Sequence, residues 1–316
     1  MRCKAVFLIF FLIAFIPVSR SQILITTSLA DTIPRWESAN VVGLDMNQIV
    51  FVNWNVGGNN SIAGIAKGAF TRKYTNGQSN WLNELIFKYG LNSQEGQELR
   101  KTDDEFRINS TYGYRSDTIS DWYYSAKFNF VTQFDNGYAY PNVEEEISTP
   151  FSPAYIFLGI GTEYIRKEYG LNVYLSPLTN KTTLVLNNRL ANLGSYGVDA
   201  AVYDEEGNLI KSGKNSRTEI GMLLTNQFKR QIFKNVMLDH RISFYSDYLN
   251  NFGNIDVEWQ LQLDLTVNEY VKANIGTHII YDDDIKYREE IDGEVKVGGP
   301  RIQLKQLLGV GLSYTF

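Results

Sequence analysis

The chain carries two histidines, His240 and His278, and these are where acid–base chemistry near neutral pH would start. A lipid-modifying hydrolase needs a serine nucleophile, a histidine base and a polar group that orients the ring. Ser243 lies three residues from His240, which in an extended strand puts the two on opposite faces. No nucleophile accompanies His278. Parity places it beside Glu258 or Asp264 of the preceding strand, the setting of a histidine satisfied by hydrogen bonds. The run "YDDDIKYREEIDGE" offers carboxylate oxygens of the kind calcium takes. Its spacing matches no EF-hand loop, and Asp282–Asp284 read as a solvated acidic loop. "GVGLSY" and "NVGGNN" lack the strand-then-helix setting of a phosphate cradle. The expectation is therefore no catalytic residue, no metal and no cofactor.

Composition narrows the classes further. A net charge of -5 and a pI near 5.3 exclude a phosphate-binding surface for nucleic acid. Aromatics make up 14% of the chain, with 20 Tyr and 18 Phe, while mean hydropathy is only -0.23. The one long apolar run is "MRCKAVFLIFFLIAFIPVSRSQ", with Arg2 and Lys4 before it and Ser19 and Ser21 after it. That pattern is a secretory signal peptide over residues 1–21. The only cysteine, Cys3, precedes the apolar stretch, so the exported chain is held together without disulfides.

After this leader, apolar residues recur at period two, the spacing of strands rather than helices. "NIDVEWQLQLDLTVN" is the clearest case, with Trp259, Leu261, Leu263 and Leu265 alternating with Glu258, Gln260, Gln262 and Asp264. It alternates over about eleven residues, near the nine to eleven that a tilted strand needs to cross a bilayer. About twelve such strands are expected, centred near Val50, Ala66, Ile86, Ile108, Phe128, Leu158, Val185, Leu223, Ile242, Leu261, Ile275 and Val310. Pro177 in the seventh marks a break or bulge, because proline cannot donate to a ladder. Short connections such as "RKEYG" and "VNEY" alternate with long ones such as "DNGYAYPNVEEEISTPFSP" and "LNSQEGQELRKTDD". The fold expected is all-β: a closed antiparallel outer-membrane barrel with short periplasmic turns and longer extracellular loops. Residues 22–40 form a short periplasmic arm and residues 41–316 the barrel, with both termini periplasmic.

In such a barrel the polarity is turned out. Trp259, Leu261, Leu263 and Leu265 face lipid, and aromatics near strand ends (Trp81, Tyr89, Trp122 to Tyr124, Tyr245, Tyr248, Tyr281) form interfacial girdles. Inward, parity puts Glu84, Lys88, Glu105, Arg107, Lys127, Glu163 and Glu219. It also puts there Asp239, Arg241, Asp247, Glu258, Asp264, Lys272, His278 and Lys305. Tyr155, Phe157, Leu223 and Tyr245 join them and narrow the bore. His240 falls on the apolar side, which requires either a bulge or a place near a rim. Tyr314 and Phe316 end the chain on alternate apolar steps, the pattern that barrel-assembly machinery reads during insertion.

Several stretches together resemble a Bacteroidetes family of outer-membrane-type barrels, domain-of-unknown-function family 3078. They are "NWNVGGNNS", "KTDDEF", "WYYSAKFNFVTQFDNGY", "ISTPFSPAYIFLGIG", "LSPLTNKTT", "IDVEWQ", "YDDD" and "QLKQLLGVGLSYTF". The resemblance runs from about Trp36 onward and implies a Gram-negative outer-membrane location; it brings no catalytic or ligand residues. The function expected is a passive conduit or uptake barrel for small solutes. The alternative is a non-enzymatic structural partner of another outer-membrane protein in an assembly or secretion complex, and the remotest a lipid-modifying enzyme.

Overall fold

The structure, a computed structural model, describes residues 34–50, 59–250, 252–291 and 294–315. The leader and Phe316 lie outside the described residues. Twelve strands close into one antiparallel barrel in which each pairs with its sequence neighbour and the last returns to the first. They are β1 (Arg35–Ile49), β2 (Ser61–Asn76), β3 (Ser79–Gln94), β4 (Arg100–Tyr114), β5 (Trp122–Thr132) and β6 (Ala154–Arg166). The circuit continues with β7 (Leu171–Leu184), β8 (Ser216–Phe233), β9 (Val236–Asp247), β10 (Asp256–Thr266), β11 (Val271–Tyr281) and β12 (Gln303–Thr315). Closure runs from Val41↔Thr315 to Met46↔Val310, and a closed ring has no edge strand with unpaired ladder groups.

Three boundaries differ from the sequence reading. The barrel begins at Arg35, not at residue 41, because Arg35 to Ile49 pair along the whole of β2. The first strand therefore centres well before Val50. The seventh ends at Leu184, so Val185 lies just past it rather than at its middle. "LNSQEGQELRKTDD" is mostly strand, with only residues 95–99 left as a connection. Pro177 does mark a bulge. Pairing jumps from Ile160↔Leu178 to Thr162↔Leu175 on one side and from Gly221↔Thr179 to Leu223↔Ser176 on the other. The residue without an N–H sits where the ladder is already interrupted.

Connections at one end are residues 77–78, 115–121, 167–170, 234–235 and 267–270. At the other end they include 133–153, 185–215 and 282–302. The long connections have structure of their own. Each carries a two-stranded hairpin, and residues 185–215 add α1 (Asn188–Asn192), capped by Asn187, whose side chain accepts from the N–H groups of Arg189 and Leu190. Val185, Leu190, Ala191 and Val198 form a small apolar core there, with Tyr196 packed against it.

The outer wall is apolar. Leu304, Leu308, Val310 and Leu312 on β12 are each more than half exposed, and Trp259, Leu261, Leu263 and Leu265 continue the belt on β10 beside Ile242, Ile275 and Ile279. Among the described residues no helix is long and apolar enough to cross a membrane. The outward aromatics include Trp122 and Tyr124, but Tyr123 and Tyr245 are buried inside the barrel. Consecutive strand residues cannot share a face, so the run Trp122 to Tyr124 puts two rings on the outer wall and not three.

Candidate functional site: a charged lumen

The inward face is a set of paired charges, built from the alternate positions that do not meet the apolar outside. On β3 and β4, Lys88 lies 3.7 Å from Glu105, Arg107 Nε donates to Glu105 at 3.2 Å, and Asn109 donates to Glu84 at 3.3 Å. Across β5 to β7, Lys127 Nζ sits 2.7 Å from the buried Glu163 and 4.2 Å from the centre of the Tyr174 ring. Ser125 and Asn172 donate to the same carboxylate at 3.1 and 2.8 Å. A buried charge is tolerable only when so surrounded. On β9, Arg241 grips both oxygens of Asp239 at 3.1 Å, and Lys229 of β8 stands 3.5 Å away. On β10, Gln260 donates to Glu258 at 2.7 Å and Gln262 to Asp264 at 2.7 Å. Lys272 stands opposite Gly311 and Thr266, and Asp247 holds the connection after β9 by accepting from Leu249 N–H and Asn250.

Other pairs join strands that are not neighbours, and they decide the shape of the bore. Lys305 of β12 reaches Asp103 of β4 at 2.8 Å. The ordered ring puts three strands between those two, so this ion pair is a strut across the lumen. Asp45 of β1 takes Lys67 at 2.7 Å and Asn274 of β11 at 3.2 Å. The second contact passes over β12 at Gly311, where a Cβ would overlap the Asp45 carboxylate. Nearer the long loops, Lys181 lies 2.8 Å from Asp256, 3.4 Å from Asp282 and 3.6 Å from Glu219. Arg217 meets Asp284 at 2.6 Å, which ties residues 282–302 to the β8 rim.

These struts leave two cavities. One, of about 320 Å³, is lined by Asp45, Lys67, Lys88, Asp239, Arg241 and Asp264 towards the short turns. The other, of about 380 Å³, lies under the long loops and is lined by Tyr155, Phe157, Leu223, Tyr245, Tyr196 and Asp282. Glu105, Arg107 and His278 line both, so they form the waist between the cavities.

The loops close over the second cavity through specific contacts. Tyr196 OH donates to Ile147 O at 2.6 Å, Asn187 donates to Glu146 at 3.1 Å, and Arg189 lies 3.2 Å from Glu146. Burial pushes the Tyr196 phenol up to about 12. Hydrogen bonds from its own backbone N–H and from Arg189 hold the Glu146 carboxyl below its ordinary range. Lys214, 2.6 Å away, does the same to Asp199.

The candidate chemistry resolves as follows. His278 Nε2 stands 3.0 Å from Glu258 Oε1, so that nitrogen carries the proton. Ser243 is lumenal but is register-paired with Glu258, a strand away from the ring, so the geometry is a carboxylate–imidazole pair and not a nucleophile with its base. His240 is on the outer wall, between Phe228 and Leu261 in register, 6.3 Å from the Trp259 ring. The pairing slips only between Gln231 and Phe233, so no bulge accounts for its outward face. Asp282 and Asp283 do converge with Asp256, their carboxylate oxygens within 4.8 Å of one another. Lys181 places an ammonium against Asp256 and Asp282. Sequence reasoning missed Asp45, Lys67, Asp103, Lys181 and Asp256 as lumenal charges. Parity would have found Lys67 and Lys181, whereas Asp103 was hidden in a stretch that looked like loop.

No curated protein sequence matches the chain. Three solved barrels are similar to it. The translocator domain of the autotransporter NalP from Neisseria meningitidis is 12% identical, with 88% of this chain and 87% of that one covered and a TM-score of 0.36. The COG4313 outer membrane channel from Pseudomonas putida F1 is 8% identical over 91% and 98% of the two chains, with a TM-score of 0.42. The NanC porin is 10% identical over 88% and 97%, with a TM-score of 0.36. At the level of sequence families, residues 46–138 match the family described as Protein of unknown function (DUF3078).

Proposed function

We propose that the protein spans an outer membrane as a narrow conduit for small solutes, with its short turns in the periplasm and its long loops outside. The observation that carries this reading is the pair of stacked cavities that share Glu105, Arg107 and His278 at their waist. A barrel that serves only as a wall has no need of two chambers in line, whereas a conduit needs binding spaces separated by a barrier that side chains can move. The outer chamber, with Tyr155, Phe157 and Tyr245, suits an apolar portion of a solute, and the inner one suits a charged or hydrogen-bonding end. On this reading the Lys305–Asp103 strut, beside His278 of the waist, contributes to the barrier. The alternate apolar steps ending at Tyr314 on β12 support recognition of that strand by the barrel-assembly machinery.

Conductance in a planar bilayer tests the reading. The wild-type barrel is expected to pass a small current, and the paired substitution Lys305→Ala with Asp103→Ala a current several times larger. Removing both partners avoids leaving one buried charge unpaired. If folded protein, verified by heat-modifiable migration on a gel, carries no current and no solute flux in either form, the conduit reading fails. The alternative of a structural partner for another outer-membrane protein then takes its place.

A further inference from the structure

One part of the outer wall breaks the apolar rule. Register places Ser38, Arg72, Asn83 and Ser110 side by side on β1, β2, β3 and β4, in one continuous row. These strands show no register shift in that region, and their lumenal parity is fixed by Lys67, Ile65, Ile86 and Lys88 at odd and even positions opposite to theirs. The row therefore faces outward. Two residues nearer the short turns, the next outward row is Trp36, Tyr74, Trp81 and Tyr112, all aromatic. Trp36 rests against both Tyr74 and Trp81, at 5.2 and 5.9 Å between ring centres. Towards the long loops the following row is Asn40, Phe70, Leu85 and Ile108, and beyond it the wall is largely apolar.

The polar row is organised. Arg72 Nη1 donates to Asn40 Oδ1 and to Thr71 O, each at 2.8 Å. Trp81 Nε1 donates to Ser110 Oγ at 3.0 Å, and Ser110 Oγ donates to Asn83 Oδ1 at 2.8 Å. The acceptors on Arg72 are neutral, and among the described residues no carboxylate lies within ion-pair reach of it. Among the described residues its Nε and Nη2 make no hydrogen bond, and the residue is exposed. A guanidinium fixed on a lipid-facing wall without an anion is costly unless the surroundings provide one. Aromatic girdles sit at headgroup depth, and an arginine one row inside the girdle reaches back to that depth along its stem. The anion always present there is the phosphodiester of a phospholipid, and a planar fork of donors fits its oxygens.

From this we infer that Arg72, held by Asn40 and flanked by the Trp36–Tyr74–Trp81 rings, binds the phosphate of a phospholipid in the leaflet at the short-turn end. Asn83 and Ser110 line the same row, and Leu85 and Ile108 receive the upper part of an acyl chain. The inference rests on the membrane-spanning reading but not on conduction.

Native mass spectrometry of the full barrel released from nanodiscs tests it, with dioleoylphosphatidylglycerol as probe and dioleoylglycerol, which has the same chains and no phosphate, as comparison. Wild type is expected to retain the phospholipid through detergent washing, and Arg72→Gln to retain roughly tenfold less, the ratio of one charge-assisted hydrogen bond lost. Arg72→Lys, which keeps the charge without the fork, falls between them. Equal retention by wild type and Arg72→Gln, or equal retention of dioleoylglycerol, overturns the assignment. So does a wild-type dimer that Arg72→Gln makes monomeric, because the row would then meet a second copy of the chain. Heat-modifiable migration of each variant shows that the barrel is closed. A chain that stays monodisperse without detergent would instead bring down the membrane reading itself.

Discussion

Lys181 is the residue on which the loop end of the lumen depends. The residue is 5% exposed, and its ammonium faces Asp256, Asp282 and Glu219 from three different segments. Removing one partner of a buried charge cluster costs far more than the pair contributes, since the remaining charges stay desolvated and repel. Lys181→Met should lower unfolding stability by about 3–5 kcal/mol in denaturant titrations in detergent. The three carboxylates Asp256, Asp282 and Asp283, with oxygens within 4.8 Å of one another, would then lack their cation. Millimolar calcium should restore part of the loss in Lys181→Met while leaving wild type unaffected, because only the variant has hard oxygen ligands to spare. A variant as stable as wild type, or indifferent to calcium, would mean that the cluster relaxes apart without the lysine.

Among the elements, the long loops are fastened by carboxylates whose charge depends on pH. Glu146 fastens residues 133–153 to α1 through Asn187 and Arg189, and Asp199 fastens the far end of residues 185–215 to Lys214. Both carboxyls are held below their ordinary values, chiefly by a hydrogen bond from its own backbone N–H for Glu146 and from Lys214 for Asp199. A depressed acid contributes stability that is complete above its unfolded value and is lost as pH falls through the lower folded one. The cap should thus stay closed at neutral pH and loosen as pH falls below the ordinary carboxylate range. Hydrogen exchange at graded pH is expected to show residues 185–215 losing protection on acidification while β9 to β11 keep theirs. Uniform loss across loops and strands would contradict this division. Charge alternation along β10 was legible at this scale, but the hairpins inside the long loops were not. Two of those hairpins have strands of only two or three residues, too few for a period-two pattern to show.

For the molecule as a whole, the reversal of polarity decides what each wall tolerates. Leu261 lies mid-strand on β10 between His240 and Thr277, facing out, and Gln262 beside it faces the bore. Leu261→Arg should cost about 2–4 kcal/mol in unfolding from lipid vesicles, while Gln262→Arg is absorbed by a lumen already rich in carboxylates. Equal costs at the two positions would mean that both faces meet the same medium. Sequence alone determined the all-β class and the count of twelve strands. Those follow from period two, a property carried by each strand independently of its neighbours. Only the tertiary structure decided that β1 begins at Arg35, that Lys305 meets Asp103 and Lys181 meets Asp256, and that one outward row is polar. Each of these depends on register and closure, which set residues from distant strands at the same height, and no periodicity along a single strand encodes that height.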